Sequence, residues 1–169
     1  GGARAGDAVY VTGTIGDAAA GLRCLKQREG VPGGPALASA ASCATLIERL
    51  NRPTPRVAQG LAMRGRASAC IDISDGLAAD LGHVCAASGV GAEIDVESLP
   101  ASSALFGLCD ASTRHALQIG GGDDYELCFT AGDAQASSLL GDLARSGCGA
   151  TRIGRIIAGR GVSIRDASG

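Results

Sequence analysis

Two alternating periodicities constrain this chain more than any other feature. AVYVT at 8–12, Ser68–Ile73 and Ala92–Val96 are short apolar stretches of strand character. In the second, Ile71 and Ile73 share one face while Asp72 and Ser74 share the other. Between the strands, Leu37, Ala41, Ala44, Ile47 and Leu50 recur near helical spacing, as do Leu77, Leu81, Val84 and Cys85. Strands interleaved with helices bury a sheet beneath helices. The fold expected is therefore α+β, a mixed β-sheet packed with helices in a layered α/β sandwich. The sheet is expected to be mixed because the last two strands, near 151–157 and 161–165, read as a hairpin.

Local signals set the boundaries. Asp17 reads as the N-cap of a helix over 18–28, and Pro35 as the first turn of a helix through Leu50. Thr54-Pro55 opens a helix that stops near Gly65, and a further helix spans about 76–87 with Gly89 as its stop. Two short helices are expected at 101–109 and 111–118. Then Tyr125, Leu127 and Phe129 alternate with Glu126, Cys128 and Thr130 in a strand, before a helix from Asp133 to about Ser146.

At 169 residues the chain suits one domain, 1–169. It is 46% hydrophobic with only two Tyr and two Phe, so its core must be aliphatic and closely packed through small side chains. Seventeen acidic against fifteen basic residues, with no Lys/Arg run, give no nucleic-acid footprint. No run of eighteen apolar residues argues for a membrane partner. Seven cysteines, none spaced Cys-x-x-Cys, fit neither a zinc site nor a disulfide framework. Cys70, Cys85 and Cys128 fall in apolar stretches as small hydrophobes, and the expected location is the reducing cytoplasm.

Three stretches carry candidate chemistry. In DISDG, Asp72 and Asp75 flank Ser74 where a strand runs into a helix, the kind of crevice in which phosphates sit. Two carboxylates there would repel a phosphate unless a divalent cation lay between; Mg²⁺ takes one or two carboxylates and further oxygens from a nucleotide. The plainer reading makes Asp75 a helix cap and leaves Asp72 solvated, and spacing alone does not choose. In Gly120–Asp124, consecutive backbone N–H groups could cradle an anion, and Asp123 and Asp124 could hold a cation; a turn with solvated carboxylates is the simpler alternative. VTGTIGDAAAG matches no nucleotide motif and reads as packing, with Gly21 allowing close helix–sheet contact. His83 and His115 lack metal-ligand spacing, and His83 falls on the exposed flank of its helix. No Ser-His-Asp or Cys-His arrangement supplies a catalytic nucleophile.

In this order and spacing, GDAVYVTGTIGDAAAGL, RPTPRVAQG, IDISDGLAADLGH, SGVGAEID and GGDDYELCF resemble the C-terminal domain of thiamine-monophosphate kinase over nearly the whole chain. The wider superfamily includes aminoimidazole ribonucleotide synthetase, selenophosphate synthetase and a hydrogenase maturation protein. Those relatives have other residues where this chain reads Ser74-Asp75. The resemblance implies an aminoimidazole ribonucleotide synthetase C-terminal-domain-like fold. It implies Mg²⁺-dependent phosphorylation of thiamine monophosphate to thiamine diphosphate, with ATP as co-substrate and direct γ-phosphoryl transfer.

By the same resemblance Asp72 and Asp75 bind Mg²⁺, Ser74 contacts ATP, and Asp123 contacts the thiamine phosphate where the family usually has Glu. The chain is then the C-terminal half of a two-domain kinase, truncated at both ends. The N-terminal domain would carry most of the metal-binding aspartates and the dimer interface of a homodimer. Two other readings are a non-catalytic ligand-binding or structural fragment, and a superfamily relative that uses ATP to activate an amide or formyl group in purine synthesis.

Overall fold

A computed structural model describes residues 1–29 and 40–166. Among the described residues six strands form one sheet: β1 (Ala8–Thr12), β2 (Ala69–Asp72), β3 (Gly91–Asp95), β4 (Leu127–Ala131), β5 (Ala150–Ile157) and β6 (Gly161–Arg165). Around it lie α1 (Asp17–Arg28), α2 (Ala40–Asn51), α3 (Val57–Met63), α4 (Leu77–Ser88), α5 (Ser103–Phe106), α6 (Ala111–Gly120) and α7 (Asp133–Arg145). The expected start of the second helix at Pro35 lies outside the described residues. None of the helices among the described residues is long and apolar enough to cross a membrane.

The sheet order is β2-β4-β1-β5-β3-β6, and every neighbouring pair is antiparallel except β3 with β6. The sheet is thus mixed, as expected, but not through a terminal hairpin. β3 lies between β5 and β6, with Gly91 opposite both Ile157 and Gly161. The link over 158–160 therefore crosses the start of β3. Gly91 makes room for it: a Cβ there would stand 3.2 Å from Ile157 Cγ1 and 3.3 Å from the Arg160 nitrogen. β5 already pairs with β1 and β3, so β6 takes the open edge of β3.

Alternation along the strands sends side chains to two apolar layers. Val9, Val11, Ile73 and Cys128 meet Leu77, Leu81 and Cys85 of α4 on one face. Tyr10, Phe129 and Ala131 meet Met63 of α3 and Leu139 and Leu143 of α7 on the other. Tyr10 and Phe129 are cross-strand partners and stack, with ring centroids 5.1 Å apart. A third cluster joins α1, α2, α5 and α6 through Ala20, Cys24, Leu46, Leu105 and Leu117. Gly21 serves this cluster by helix–helix contact, not the helix–sheet contact expected: a Cβ would fall 2.3 Å from the Leu46 carbonyl oxygen. Cys85 and Cys128 are buried, but Cys70 is exposed on β2, which forms the opposite edge of the sheet.

Candidate functional site

β1 and β2 leave the sheet at the end where β4 enters it. Three irregular segments therefore meet there: the turn 13–16 into α1, the turn 73–76 into α4, and the loop 121–126 ahead of β4. The last two are laced by their backbones. Ile73 N–H donates to Glu126 O at 2.8 Å, Tyr125 N–H to Ile73 O at 2.9 Å, and Asp123 N–H to Ser74 O at 2.9 Å. Gly122 permits the approach, because a Cβ would stand 2.3 Å from Ser74 O. Asp123 (φ 66°) and Tyr125 (φ 51°) hold left-handed backbone that non-glycine residues rarely adopt, a strain that collects at functional sites.

The acidic residues of this region divide by burial. Asp80, Asp124 and Glu126 are 3%, 3% and 1% exposed, and each is an anchor. Asp80 Oδ2 accepts N–H bonds from Ser74, Asp75 and Gly76 at 3.0, 3.0 and 3.1 Å. Asp124 accepts from Gly16 N–H at 2.5 Å and Ala18 N–H at 3.0 Å, so it caps α1 from a distant loop. Burial pushes the Asp124 carboxyl up to about 7, outweighing those two amides and Arg49; nearby Asp17 pushes the same way. Glu126 receives Arg56 Nε at 2.7 Å and Nη2 at 2.6 Å, Arg49 Nη2 at 3.1 Å and Thr12 Oγ1 at 2.7 Å. This pairing raises the Arg56 pKa above its ordinary value. Gly13 (φ 56°) lets the Glu126 carboxylate come close, since a Cβ would meet Oε1 at 2.3 Å.

Asp72, Asp75 and Asp123 are exposed. Among the described residues their carboxylates carry no hydrogen bond or ion pair, and the partly buried Ser74 hydroxyl makes none. The four residues singled out in the sequence are thus brought to one end of the sheet. Asp123 faces a cleft of about 370 Å³ shared with Arg23 and Lys26 of α1 and the glycines 120–122. Asp72 and Tyr125 line a more apolar cleft of about 420 Å³ with Pro53, Pro55 and Val57. Uncommitted carboxylates in front of an open cleft are hard oxygen donors that fit a Mg²⁺ ion. Asp75, Asp80 and His83 also each place one possible ligand atom within 4.8 Å of the others; Asp72 stands outside that trio.

The structure departs from two local expectations. Asp17 does not cap α1: Gly16 is the N-cap residue, and Asp17 accepts from Thr14 Oγ1 at 2.8 Å and Ser102 Oγ at 2.7 Å. Asp124 is not a free cation ligand, because its carboxylate is spent on the amides of Gly16 and Ala18. Asp80, Glu126, Arg49 and Arg56 went unrecognised in the sequence. A carboxylate in the first turn of a helix was the one available sign for Asp80; an acid set between Tyr125 and Leu127 was the sign for Glu126.

Residues 4–167 match the family described as AIR synthase related protein, C-terminal domain. Thiamine-monophosphate kinase of Salmonella typhimurium is 44% identical over 157 residues, covering 93% of this chain and 46% of that protein. The crystal structure of thiamine-monophosphate kinase from Stenotrophomonas maltophilia K279a superposes with a TM-score of 0.85 at 44% identity, covering 96% of this chain and 51% of that one. The structure of AaThiL complexed with AMPPCP and TMP gives a TM-score of 0.76 at 36% identity, covering 96% and 48%. The chain spans about half the length of the curated relatives it matches. The end-of-sheet site, the mixed sheet and these likenesses together make the chain a member of the AIR synthase related protein C-terminal domain family.

Proposed function

We propose that this chain, as the single C-terminal domain of a two-domain, homodimeric, cytoplasmic kinase, serves the phosphorylation of thiamine monophosphate to thiamine diphosphate by ATP. The observation that carries the reading is the lacing of the 73–76 turn to the 121–126 loop. It gathers Asp72, Ser74, Asp75 and Asp123, whose side chains carry no hydrogen bond or ion pair among the described residues, at one open end of the sheet. Likeness to thiamine-monophosphate kinases and to a structure holding AMPPCP and TMP supports the substrates.

Phosphoryl transfer asks little covalent chemistry of a protein; it asks for positioning and for neutralised charge on the phosphates. Asp72 and Asp75 are the residues that would hold Mg²⁺, which when bound offsets the negative charge that nucleotide and substrate bring together. The Ser74 hydroxyl donates to a phosphate oxygen of ATP, and Asp123 contacts the substrate, thiamine monophosphate, from the neighbouring loop. None of these groups acts as a nucleophile.

The test is Asp72→Asn in the complete enzyme. Losing one metal carboxylate is expected to lower kcat by about a hundredfold or more, the scale on which a single electrostatic contact to the transition state matters. A variant that turns over normally would remove Asp72 from the site.

A further inference from the structure

An α-helix begins with N–H groups that have no partner within the helix, and these make its N-terminus a natural phosphate site. The turn into α4 offers such a cradle in the place where a nucleotide is expected. The amides just ahead of the helix are already taken, while those of its first residues, Leu77 to Ala79, are not among the groups that Asp80 accepts from. Asp80, in the first turn of α4, folds back over the helix start, and a single carboxylate oxygen takes the amides of Ser74, Asp75 and Gly76 at 3.0–3.1 Å. The carboxylate is 3% exposed, so water competes little for these charge-assisted bonds. On the other side of the turn, the carbonyls of Ile73 and Ser74 are taken by the amides of Tyr125 and Asp123. The backbone of this turn is thus committed on both sides. What it still presents outward is the Asp75 carboxylate and the Ser74 hydroxyl.

We infer that Asp80 is a positioning residue for the ligand-binding turn: by holding the amides of Ser74, Asp75 and Gly76 it fixes the Asp75 carboxylate toward a cation and the Ser74 hydroxyl toward a phosphate. The inference rests on the reading of Asp75 as a metal ligand. A carboxylate that orients first-contact ligands from behind typically contributes 10–100-fold to metal affinity or activity.

The test uses Mn²⁺ in place of Mg²⁺, titrated into the complete enzyme with ATP and followed by the electron paramagnetic resonance of the free ion. Thermal melts without metal are run in parallel. Asp80→Asn keeps an acceptor oxygen but removes the charge, and it stands in for Asp80→Ala should the latter not fold. Asp80→Asn is expected to weaken Mn²⁺ binding by about tenfold or more, and Asp75→Asn to weaken it too. His83→Ala is expected to leave it unchanged.

A lower melting temperature in Asp80→Asn with unchanged Mn²⁺ affinity would reduce Asp80 to a helix cap and overturn the inference. Weakening by His83→Ala equal to that of Asp80→Asn would make Asp80 a direct ligand in the Asp75–Asp80–His83 trio, and would overturn it equally. Unchanged affinity in Asp75→Asn would instead bring down the metal reading, and the inference with it.

Discussion

Within four consecutive residues, Asp123, Asp124, Tyr125 and Glu126 alternate outward and inward, and the two inward acids have opposite electrostatic lives. Glu126 is met by two guanidinium groups, which offset the cost of burying its charge. Asp124 has only two amides and a more distant arginine, and burial wins. Its carboxyl titrates near 7 in the fold but at about 3.9 in an unfolded chain. Between those values the folded protein holds the extra proton, so the contribution of Asp124 to stability is complete below about pH 4 and is lost as pH rises through about 7. Asn at this position carries no such dependence. Urea melts are expected to show Asp124→Asn gaining on the parent protein between about pH 4 and about pH 8. Parallel pH curves for the two proteins would contradict the assignment of burial as the dominant cause.

At the scale of elements, the packing of α1 on α2 turns on one missing methyl group. Gly21→Ala would put a Cβ 2.3 Å from the Leu46 carbonyl, and backbone cannot swing away as a side chain can. The expected cost is about 1–3 kcal/mol, the usual scale of overpacking, read as a lower melting temperature; an unchanged midpoint would mean that the helices part without cost. The contact also marks the limit of reading elements from sequence. β1, β2, β3 and α4 were legible because short apolar runs bounded by turn residues, and the apolar stripe of α4, are local features of the chain. Gly21 was legible as a packing glycine but not its partner, since nothing in DAAAGL names α2. The terminal strands looked like a hairpin because strand spacing is local, whereas the insertion of β3 between them depends on Gly91, some 66 to 70 positions from Ile157 and Gly161. Asp72, Ser74, Asp75 and Asp123 drew notice as polar residues beside glycines, but local spacing left a cap or a turn equally open, and only the resemblance to a kinase family gave them roles. Asp124 capping α1 across 106 and 108 positions had no local signal at all.

At the scale of the whole molecule, the 121–126 loop lines two clefts, one apolar through Tyr125 and one bordered by Arg23 and Lys26 through Asp123. Asp72 borders the first cleft and Asp123 the second, and the curated relatives are about twice as long as this chain. The proposed function is a direct transfer of phosphate from ATP to thiamine monophosphate. Its most direct measurement is to supply the complete enzyme with Mg²⁺, thiamine monophosphate and ATP labelled in the γ-phosphate, and to follow the label. The label is expected in thiamine diphosphate, released together with ADP and strictly dependent on the divalent metal. Label appearing only as free phosphate, with thiamine monophosphate unchanged, would contradict it.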